Sequence, residues 1–274
     1  MKLLPVVILF FVITTFGAAT SAQEVFNSGG RFQALAESST SLTGPWSVYG
    51  NQAGLAALRH VEVGGSFQNR FLVNELSSRS GLFAIPVQDN IFAVSYCQFG
   101  KIPFSQDKMG LAYARQLGNY LRFGLQFNRY GLYLAEENKS VFVHGLEVGI
   151  QYVLKPDVIL GIHLTNPYQT RIKLSSETYR YESRINVGAF FQLSGDFGWA
   201  LDFENRFDTP VIVKSGFEYE ILKSLIVRAG VSGKPYSLSA GFGFRVGKAM
   251  VDFATSYNQY LGTSPCVSFQ YQIR

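Results

Sequence analysis

The sequence has little of what a soluble enzyme or a disulfide-built domain needs. Only 16% of its 274 residues are charged, whereas a soluble domain usually carries about a quarter. Its two cysteines, Cys97 and Cys266, are too few for a fold held by disulfides, and we expect free thiols. Its net charge of +5 is spread along the chain, which argues against a nucleic-acid partner.

Long hydrophobic runs are also missing, except at the start of the chain. Lys2, an apolar run over residues 3–16 and the small residues that end at Ala22 predict a secretory signal peptide over residues 1–22. An N-terminal membrane anchor is the alternative, but the run is shorter than the about 20 residues that a spanning helix needs. No later stretch has about 18 consecutive apolar residues, so no transmembrane helix is expected.

Hydrophobic residues are abundant and recur with a period of two. They make up 47% of the sequence, and 15% of the residues are aromatic. In residues 237–246, for example, Leu, Ala, Phe and Val alternate with Ser, Gly and Arg, which gives a strand one apolar and one polar face. About fourteen such segments follow His60, which predicts an all-β, antiparallel transmembrane barrel over residues 60–274. A secreted β-sandwich is the alternative.

The connections between these segments tend to alternate in length. The predicted strands are 61–70, 79–87, 91–100, 108–116, 120–129, 141–154, 158–166, 183–193, 197–206, 211–221, 225–233, 236–246, 249–258 and 265–274. Short turns at 88–90, 118–119, 155–157, 194–196, 223–224 and 247–248 alternate with connections that are mostly longer, 234–235 being the exception. Outer-membrane barrels pair short periplasmic turns with longer external loops. The pattern therefore predicts the outer membrane of a Gram-negative bacterium, with both barrel ends on the periplasmic side.

One external connection, residues 167–182, is expected to be the largest. It carries Tyr168, Arg171, Lys173 and Arg180. Such a loop fits either contact with a partner or simple exposure to solvent, and the sequence leaves both open.

Charged residues fall on the parity opposite the apolar one. Because an Arg or Lys on the lipid face costs about 2–4 kcal/mol near the midplane, we expect this row to face the lumen. The predicted lumen-facing charges are Arg122, Glu147, Asp202, Glu204, Lys214, Glu218, Glu220, Arg228, Arg245 and Asp252. Mixed signs favour a lumen that is ion-paired or filled over an ion-selective pore. A small water-filled channel is the alternative.

Residues 23–59 are rich in Gly, Ala, Ser and Thr and show no sustained alternation. They also carry Leu35, Leu42, Trp46 and Leu55, and such large apolar groups are unusual in a solvated tail. We therefore predict that this segment is a plug that enters the barrel from the periplasm. A periplasmic tail is the alternative.

The plug segment ends in a short motif, Asn51-Gln52-Ala53-Gly54-Leu55-Ala56. This motif, behind a signal peptide and before about fourteen strands, resembles the FadL/TodX superfamily of outer-membrane barrels, and most closely its PorV/PorQ-type branch. There the N-terminal segment is a hatch with an Asn-Pro-Ala box, so the resemblance implies that Asn51, Gln52, Ala53 and Gly54 form the plug motif. Gln52 replaces the proline, and the chain is short for the superfamily.

The nearer resemblance implies an accessory role in type IX secretion or in surface attachment of exported proteins. Partners would then be outer-membrane lipids and secretion-system components or exported surface proteins, with no cofactor. The wider superfamily implies the alternative, passive transport of small hydrophobic molecules. A structural barrel without a transport role is a third interpretation.

No residue set predicts catalysis. His144 is expected to point outward without a neighbouring serine, His163 inward in a structural role, and His60 has no metal-spaced partner. No metalloprotease, hydrolase or phosphate-loop motif is present. Asp202 with Glu204, and Glu218 with Glu220, could imitate a catalytic pair, but adjacent inward positions favour salt bridges. The sequence therefore predicts a protein without enzymatic activity and without a metal site.

Overall fold

The computed structural model describes residues 26, 28–135, 139–173, 178–206, 209–233 and 236–273. Fourteen of its strands pair antiparallel, each with its neighbours, and close into a barrel. These strands are β1 Val61–Asn69, β2 Ser77–Val87, β3 Asn90–Lys101, β4 Phe104–Leu117, β5 Leu121–Leu134, β6 Lys139–Lys155, β7 Val158–Thr165, β10 Arg184–Gln192, β11 Phe197–Arg206, β12 Ile212–Leu222, β13 Leu225–Ser232, β14 Ser237–Val246, β15 Ala249–Asn258 and β16 Gly262–Ile273. Between β7 and β10, β8 Arg171–Lys173 and β9 Thr178–Arg180 form a separate hairpin. The predicted fold class is confirmed.

The two faces of the wall differ in polarity. Outward side chains are large, apolar and exposed, such as Leu238 (62% exposed) and Phe242 (42%), whereas inward positions of the same strand include Ser239, which is buried. Side chains of a strand alternate between its two faces. Each strand can therefore present apolar residues to the exterior and other residues to the enclosed lumen.

No helix among the described residues is both long and apolar enough to cross a membrane.

Three external connections are shorter than the sequence predicts. Only Ile102 and Pro103 join β3 to β4, residues 135–138 join β5 to β6, and β16 begins already at Gly262. The expected connections 101–107, 130–140 and 259–264 are therefore wrong in extent. The physical reason is that backbone pairing continues where the apolar alternation fades, for example between Asp107 and Gly131. Residues 70–76 contain two short 3-10 helices, Arg70–Leu72 and Asn74–Leu76.

Residues 28–58 lie inside the barrel, and we call them the luminal segment. The short helix α1, Gly30–Ala34, packs against β13–β16. A 3-10 helix over Pro45–Tyr49 packs against β1–β3, and another over Gln52–Ala57 packs against β4–β6. Nearly all of these residues are buried.

The luminal segment runs along the length of the lumen. Phe26, just before it, packs on Tyr130 with ring centroids 6.2 Å apart, and Tyr130 stacks on Tyr181 of the external connection at 4.5 Å. Leu58 ends the segment next to β1, at the opposite rim. The described residues therefore start in the external half of the barrel and reach β1 at the periplasmic rim, and entry of the segment from the periplasm stays a prediction.

The fold predicts how charge is tolerated on the outer face. Phe242→Arg, in the middle of β14, should lower the free energy of unfolding by about 2–4 kcal/mol in a lipid bilayer, whereas Val246→Arg at the rim should cost about 1 kcal/mol or less. Urea unfolding in lipid vesicles measures both. Equal effects of the two substitutions would contradict a lipid-facing apolar row.

Candidate functional site

Glycines line the lumen at several places where the backbone of the luminal segment touches the wall. A Cβ at Gly216 would lie 2.7 Å from Leu35 Cα, and one at Gly230 would lie 2.6 Å from the Ala36 nitrogen. These distances are shorter than any real Cβ contact, so only glycine permits this approach.

We call the wall glycines that contact the luminal segment the glycine row. It continues on β5, β6, β7 and β14. Its further members are Gly124, Gly149 and Gly161, where a Cβ would overlap the Ala53 nitrogen, Asn51 Oδ1 and Thr40 O respectively, and Gly241, where it would lie 2.7 Å from Ala34 Cβ. Gly161 pairs with Gly188, and Gly216 with Gly230, across neighbouring strands. Sequence reasoning missed this row. The signal that could have found it is glycine at inward positions in the middle of many strands.

Asn51 joins the luminal segment to the wall. Its Nδ2 donates to the carbonyl oxygens of Thr40 (2.8 Å), Ile150 (3.1 Å) and Ile162 (3.2 Å), which belong to the segment, β6 and β7. Its Oδ1 accepts from the Ala53 nitrogen at 3.1 Å and so caps the following 3-10 helix. One buried side chain therefore fixes both the turn and its attachment.

The contacts of Gln52 and Gly54 explain why these two residue types occur in the motif. Gln52 Nε2 donates to Glu147 Oε2 at 2.8 Å and to Gly50 O at 3.1 Å. A proline at this position would have no such donor. Gly54 must be glycine, because a Cβ there would overlap the Leu42 carbonyl oxygen.

Glu147 is the centre of a buried polar cluster. Its Oε1 accepts from Lys108 Nζ at 2.5 Å and Asn128 Nδ2 at 2.8 Å. Its Oε2 accepts from Gln52 and lies 3.1 Å from His163 Nε2. Lys108, Glu147 and His163 are each at most 5% exposed. His163 therefore has the structural role that the sequence predicts for it.

A second ionic cluster holds α1. Arg31 of the luminal segment donates to both oxygens of Glu218, at 2.6 and 3.0 Å, and to Thr43 O at 3.1 Å. Arg228 donates to Glu218 at 3.2 Å and to Asp252 at 2.7 Å. Bidentate arginine–carboxylate pairs are geometrically specific, so this chain sets the rotation of α1.

A third ionic cluster involves the middle of the segment. Asp202 Oδ2 accepts from both the nitrogen (2.9 Å) and the hydroxyl (2.7 Å) of Thr40. Lys214 lies between Glu37 Oε2, at 3.3 Å, and Glu204 Oε2, at 2.9 Å. Asp202 and Glu204 thus contact separate partners.

The structure places all ten lumen-facing charges of the sequence prediction on the inward face. Four of them, Glu147, Asp202, Lys214 and Glu218, contact the luminal segment directly. Glu204, Arg228 and Asp252 pair with those four or with their partners. Nearer the periplasmic rim, Arg245 pairs with Glu220 at 3.5 Å and Arg122 donates to Gln151 at 3.5 Å.

Part of the wall opposite these charges, on β2–β5, is apolar on its inner face as well. Buried apolar residues of β2–β5 pack on the large side chains of the luminal segment. The wall contributes Leu82, Ala84, Ile91, Ala93, Ala112, Ala114 and Leu132, and the segment contributes Trp46, Val48, Tyr49 and Leu55. This explains why β3 carries apolar side chains on both of its faces.

These apolar contacts form one continuous cluster, which we call the apolar seam. It extends from Phe26, Tyr130 and Tyr181 in the external half to Leu58 near the periplasmic rim. The Tyr49 hydroxyl within it lies 2.7 Å from Gly81 O and 2.8 Å from Tyr96 O, and burial raises its pKa, so it stays a neutral donor.

A cavity of about 420 Å³ remains at the periplasmic end of the polar side. It lies between Trp46 and the wall, and its lining includes Arg31, Glu218, Arg245 and Asp252. The lumen is therefore filled tightly on the apolar side and loosely on the charged side.

Among known proteins, this chain is similar only in structure to the proteins named below, and not in sequence. No protein-family model matches the sequence, and no curated protein does. The toluene transporter TbuX of Ralstonia pickettii is similar at 12% identity and TM-score 0.67, with 91% of this chain and 99% of that chain covered. The toluene transporter TodX of P. putida is similar at 12% identity and TM-score 0.68, covering 92% and 100%. The fold is that of the FadL and TodX barrels. A FadL homologue of Pseudomonas aeruginosa agrees, at 11% identity and TM-score 0.64, covering 90% and 98%.

The close contacts of the glycine row predict that adding a methyl group at one of these positions destabilises the protein. Gly149→Ala should displace Asn51 and lower the free energy of unfolding by about 1–3 kcal/mol through overpacking. Gly81→Ala is the matched control, because its Cβ would have its nearest neighbour at 3.8 Å. Thermal unfolding and limited proteolysis within residues 28–58 measure the effect. Resistance to protease in Gly149→Ala equal to that of the control would contradict the close contact.

The Glu147 cluster predicts a non-additive pair. Glu147→Gln should cost about 3–5 kcal/mol, because it leaves the Lys108 ammonium buried without its counter-ion. Adding Lys108→Met should recover a large part of that loss. A double-mutant cycle by urea unfolding tests this, and purely additive losses would argue against the buried pair.

Proposed function

We propose that this protein is a non-enzymatic outer-membrane barrel that lets small hydrophobic molecules cross passively, with the luminal segment as its plug. The observation that carries the proposal is the apolar seam, which is continuous from the external half to the periplasmic rim. The likeness of fold to two toluene transporters and a FadL homologue supports it.

The two sides of the luminal segment suggest how the route works. Directional hydrogen bonds and ion pairs hold its polar side to the wall, for example Arg31 to Glu218. Its other side meets β2–β5 mainly through apolar contacts, with the Tyr49 hydroxyl as an exception that bonds to the wall. Apolar contacts can part and re-form without leaving polar groups unpaired. A small apolar solute replaces those contacts with equivalent ones. A small displacement of the segment then opens a path along the seam.

The location follows from the same features. The exposed outward row of large apolar side chains fits a lipid exterior. Together with the predicted signal peptide over residues 1–22, it supports the outer membrane, with its lipids as partners.

A disulfide across the seam tests the proposal. Ser28 Oγ lies 3.9 Å from Cys97 Sγ, so Ser28→Cys should bond to the native Cys97 of β3 after a small adjustment. Cys266, the other buried cysteine, is replaced by Ala to prevent mispairing. Toluene uptake into proteoliposomes should fall to the level of protein-free vesicles on oxidation and return on reduction.

The control for this experiment is Ser28→Cys with both native cysteines replaced by Ala, which cannot form the bond. Its uptake should not respond to oxidant. Uptake by the cross-linked protein that equals uptake by this control would contradict passage along the seam.

A second candidate is the PorV/PorQ-type accessory role in type IX secretion or in surface attachment of exported proteins. The observation in its favour is the shortness of external connections such as Ile102–Pro103, which leave little material for capturing a ligand outside the barrel. Affinity purification from native membranes separates the candidates. Stable recovery of a large secretion component or an exported surface protein would favour the accessory role.

A further inference from the structure

Charge on the outward face is confined to one flank of the barrel. In the described part of β1, β7 and β10–β16, outward side chains are uncharged, as the exposed rows of Phe203, Leu238 and Phe269 illustrate. On β2–β6 the outward charged residues are Arg79, Asp107, Arg115 and Arg129. An arginine toward lipid is unfavourable except near the interface, so this uneven distribution needs a reason.

One of these arginines, Arg129, lies next to a histidine at the external end of this flank. Arg129 of β5 is directly opposite His144 of β6. Its guanidinium carbon lies 3.8 Å above the ring of Phe142, and its Nη1 lies 3.8 Å from the sulfur of Met109. Stacking holds the guanidinium in a fixed plane and leaves its other donors available.

The external hairpin adds a pair of cations. Arg171 and Arg180 are cross-strand partners in β8 and β9, and both are exposed, while Ile172 next to them is buried. Thr170, just before Arg171, donates its hydroxyl to the His144 carbonyl oxygen at 2.9 Å. The hairpin is therefore attached beside Arg129 and His144. We call these four residues, Arg129, His144, Arg171 and Arg180, the external basic patch.

Among the described residues, no carboxylate forms an ion pair with Arg129, Arg171 or Arg180. Asp107, an outward acid of β4 in the described part of the chain, interacts electrostatically with Arg129 but forms no ion pair with it. Like charges directly opposite in a hairpin are destabilising, so the Arg171–Arg180 pair favours an anion between or above the two groups.

We propose that the external basic patch binds the phosphate groups of an anionic lipid in the outer leaflet. Planar guanidinium groups bind phosphate in a bidentate way. The neighbouring exposed rings, Phe127 (53% exposed), Phe142 (47%) and Tyr168 (77%), join the patch to the apolar outer face, where acyl chains lie. This continuity identifies a phosphorylated lipid as the occupant in preference to free phosphate. The proposal rests on the outer-membrane location in the proposed function.

Lipid binding to the purified full-length protein tests the proposal. Delipidated protein is titrated with bis-phosphorylated lipid A in detergent, and bound lipid is counted by native mass spectrometry. Arg129→Gln, and the double variant Arg171→Gln with Arg180→Gln, should each weaken binding by about tenfold or more, because each removes charge-assisted hydrogen bonds.

Arg115→Gln is the matched control, because Arg115 is an exposed, outward arginine of β4 near the opposite rim. It should bind lipid A as the unchanged protein does. Lipid A stripped of both phosphates should bind weakly to all variants, and excess inorganic phosphate should not displace the intact lipid.

Three results would overturn the proposal: unchanged binding in the patch variants, an equal loss in Arg115→Gln, or equal binding of the dephosphorylated lipid. Displacement by inorganic phosphate would also overturn it, since the site would then be a simple anion site. Toluene uptake by the same variants should be unchanged. Variants that lose lipid binding but keep toluene uptake would show that the two proposals are independent. Normal lipid binding by a protein that does not take up toluene would contradict only the proposed transport function.

Discussion

The width of the barrel is the constraint on which the rest of the structure depends. About eight strands enclose a space that their own side chains can fill, whereas sixteen leave an aqueous channel. Fourteen strands therefore leave a lumen that needs either water or another segment. Residues 28–58 occupy it, and the inward face is adapted to them: glycine where their backbone touches the wall, charge where their polar groups need partners, and apolar residues where Trp46 and Leu55 pack.

The luminal segment is attached to the wall on one side, and the proposed route of the solute runs along its opposite side. On the β6–β16 side, Glu147, Asp202 and Glu218 bind it through short, directional contacts in a place where an unpaired charge would be costly. On the β2–β5 side the contacts are mainly apolar, apart from contacts such as the hydrogen bonds of the Tyr49 hydroxyl, and the apolar ones can be exchanged for those of a solute of similar polarity. The segment can thus stay attached while one face of it yields, which is why a filled lumen is compatible with transport of small hydrophobic molecules.

The sequence predicts the wall well, because the alternation of polarity is a local signal that each strand carries by itself. Strand number and the inward charges could be found in this way, and most strand ends lie within a few residues of prediction. The missed features are those that depend on distant partners. Nothing local indicates that Asn51 reaches three carbonyl groups, that Gln52 pairs with Glu147, or that strands continue past the apolar rows as far as Leu134. The glycine row was visible in the sequence, but its meaning depends on knowing what approaches it.

The central claim is that residues 28–58 are held in the lumen of the resting protein. Amide hydrogen exchange of the full chain in lipid nanodiscs, followed by mass spectrometry, tests it most directly. The account predicts that amides of residues 30–58 exchange nearly as slowly as those of the strands, because the residues are buried and many of their N–H groups donate within the segment or, at Gly30 and Thr40, to the wall. Exchange of this segment at the rate of an unfolded peptide, with the strands still protected, would contradict it.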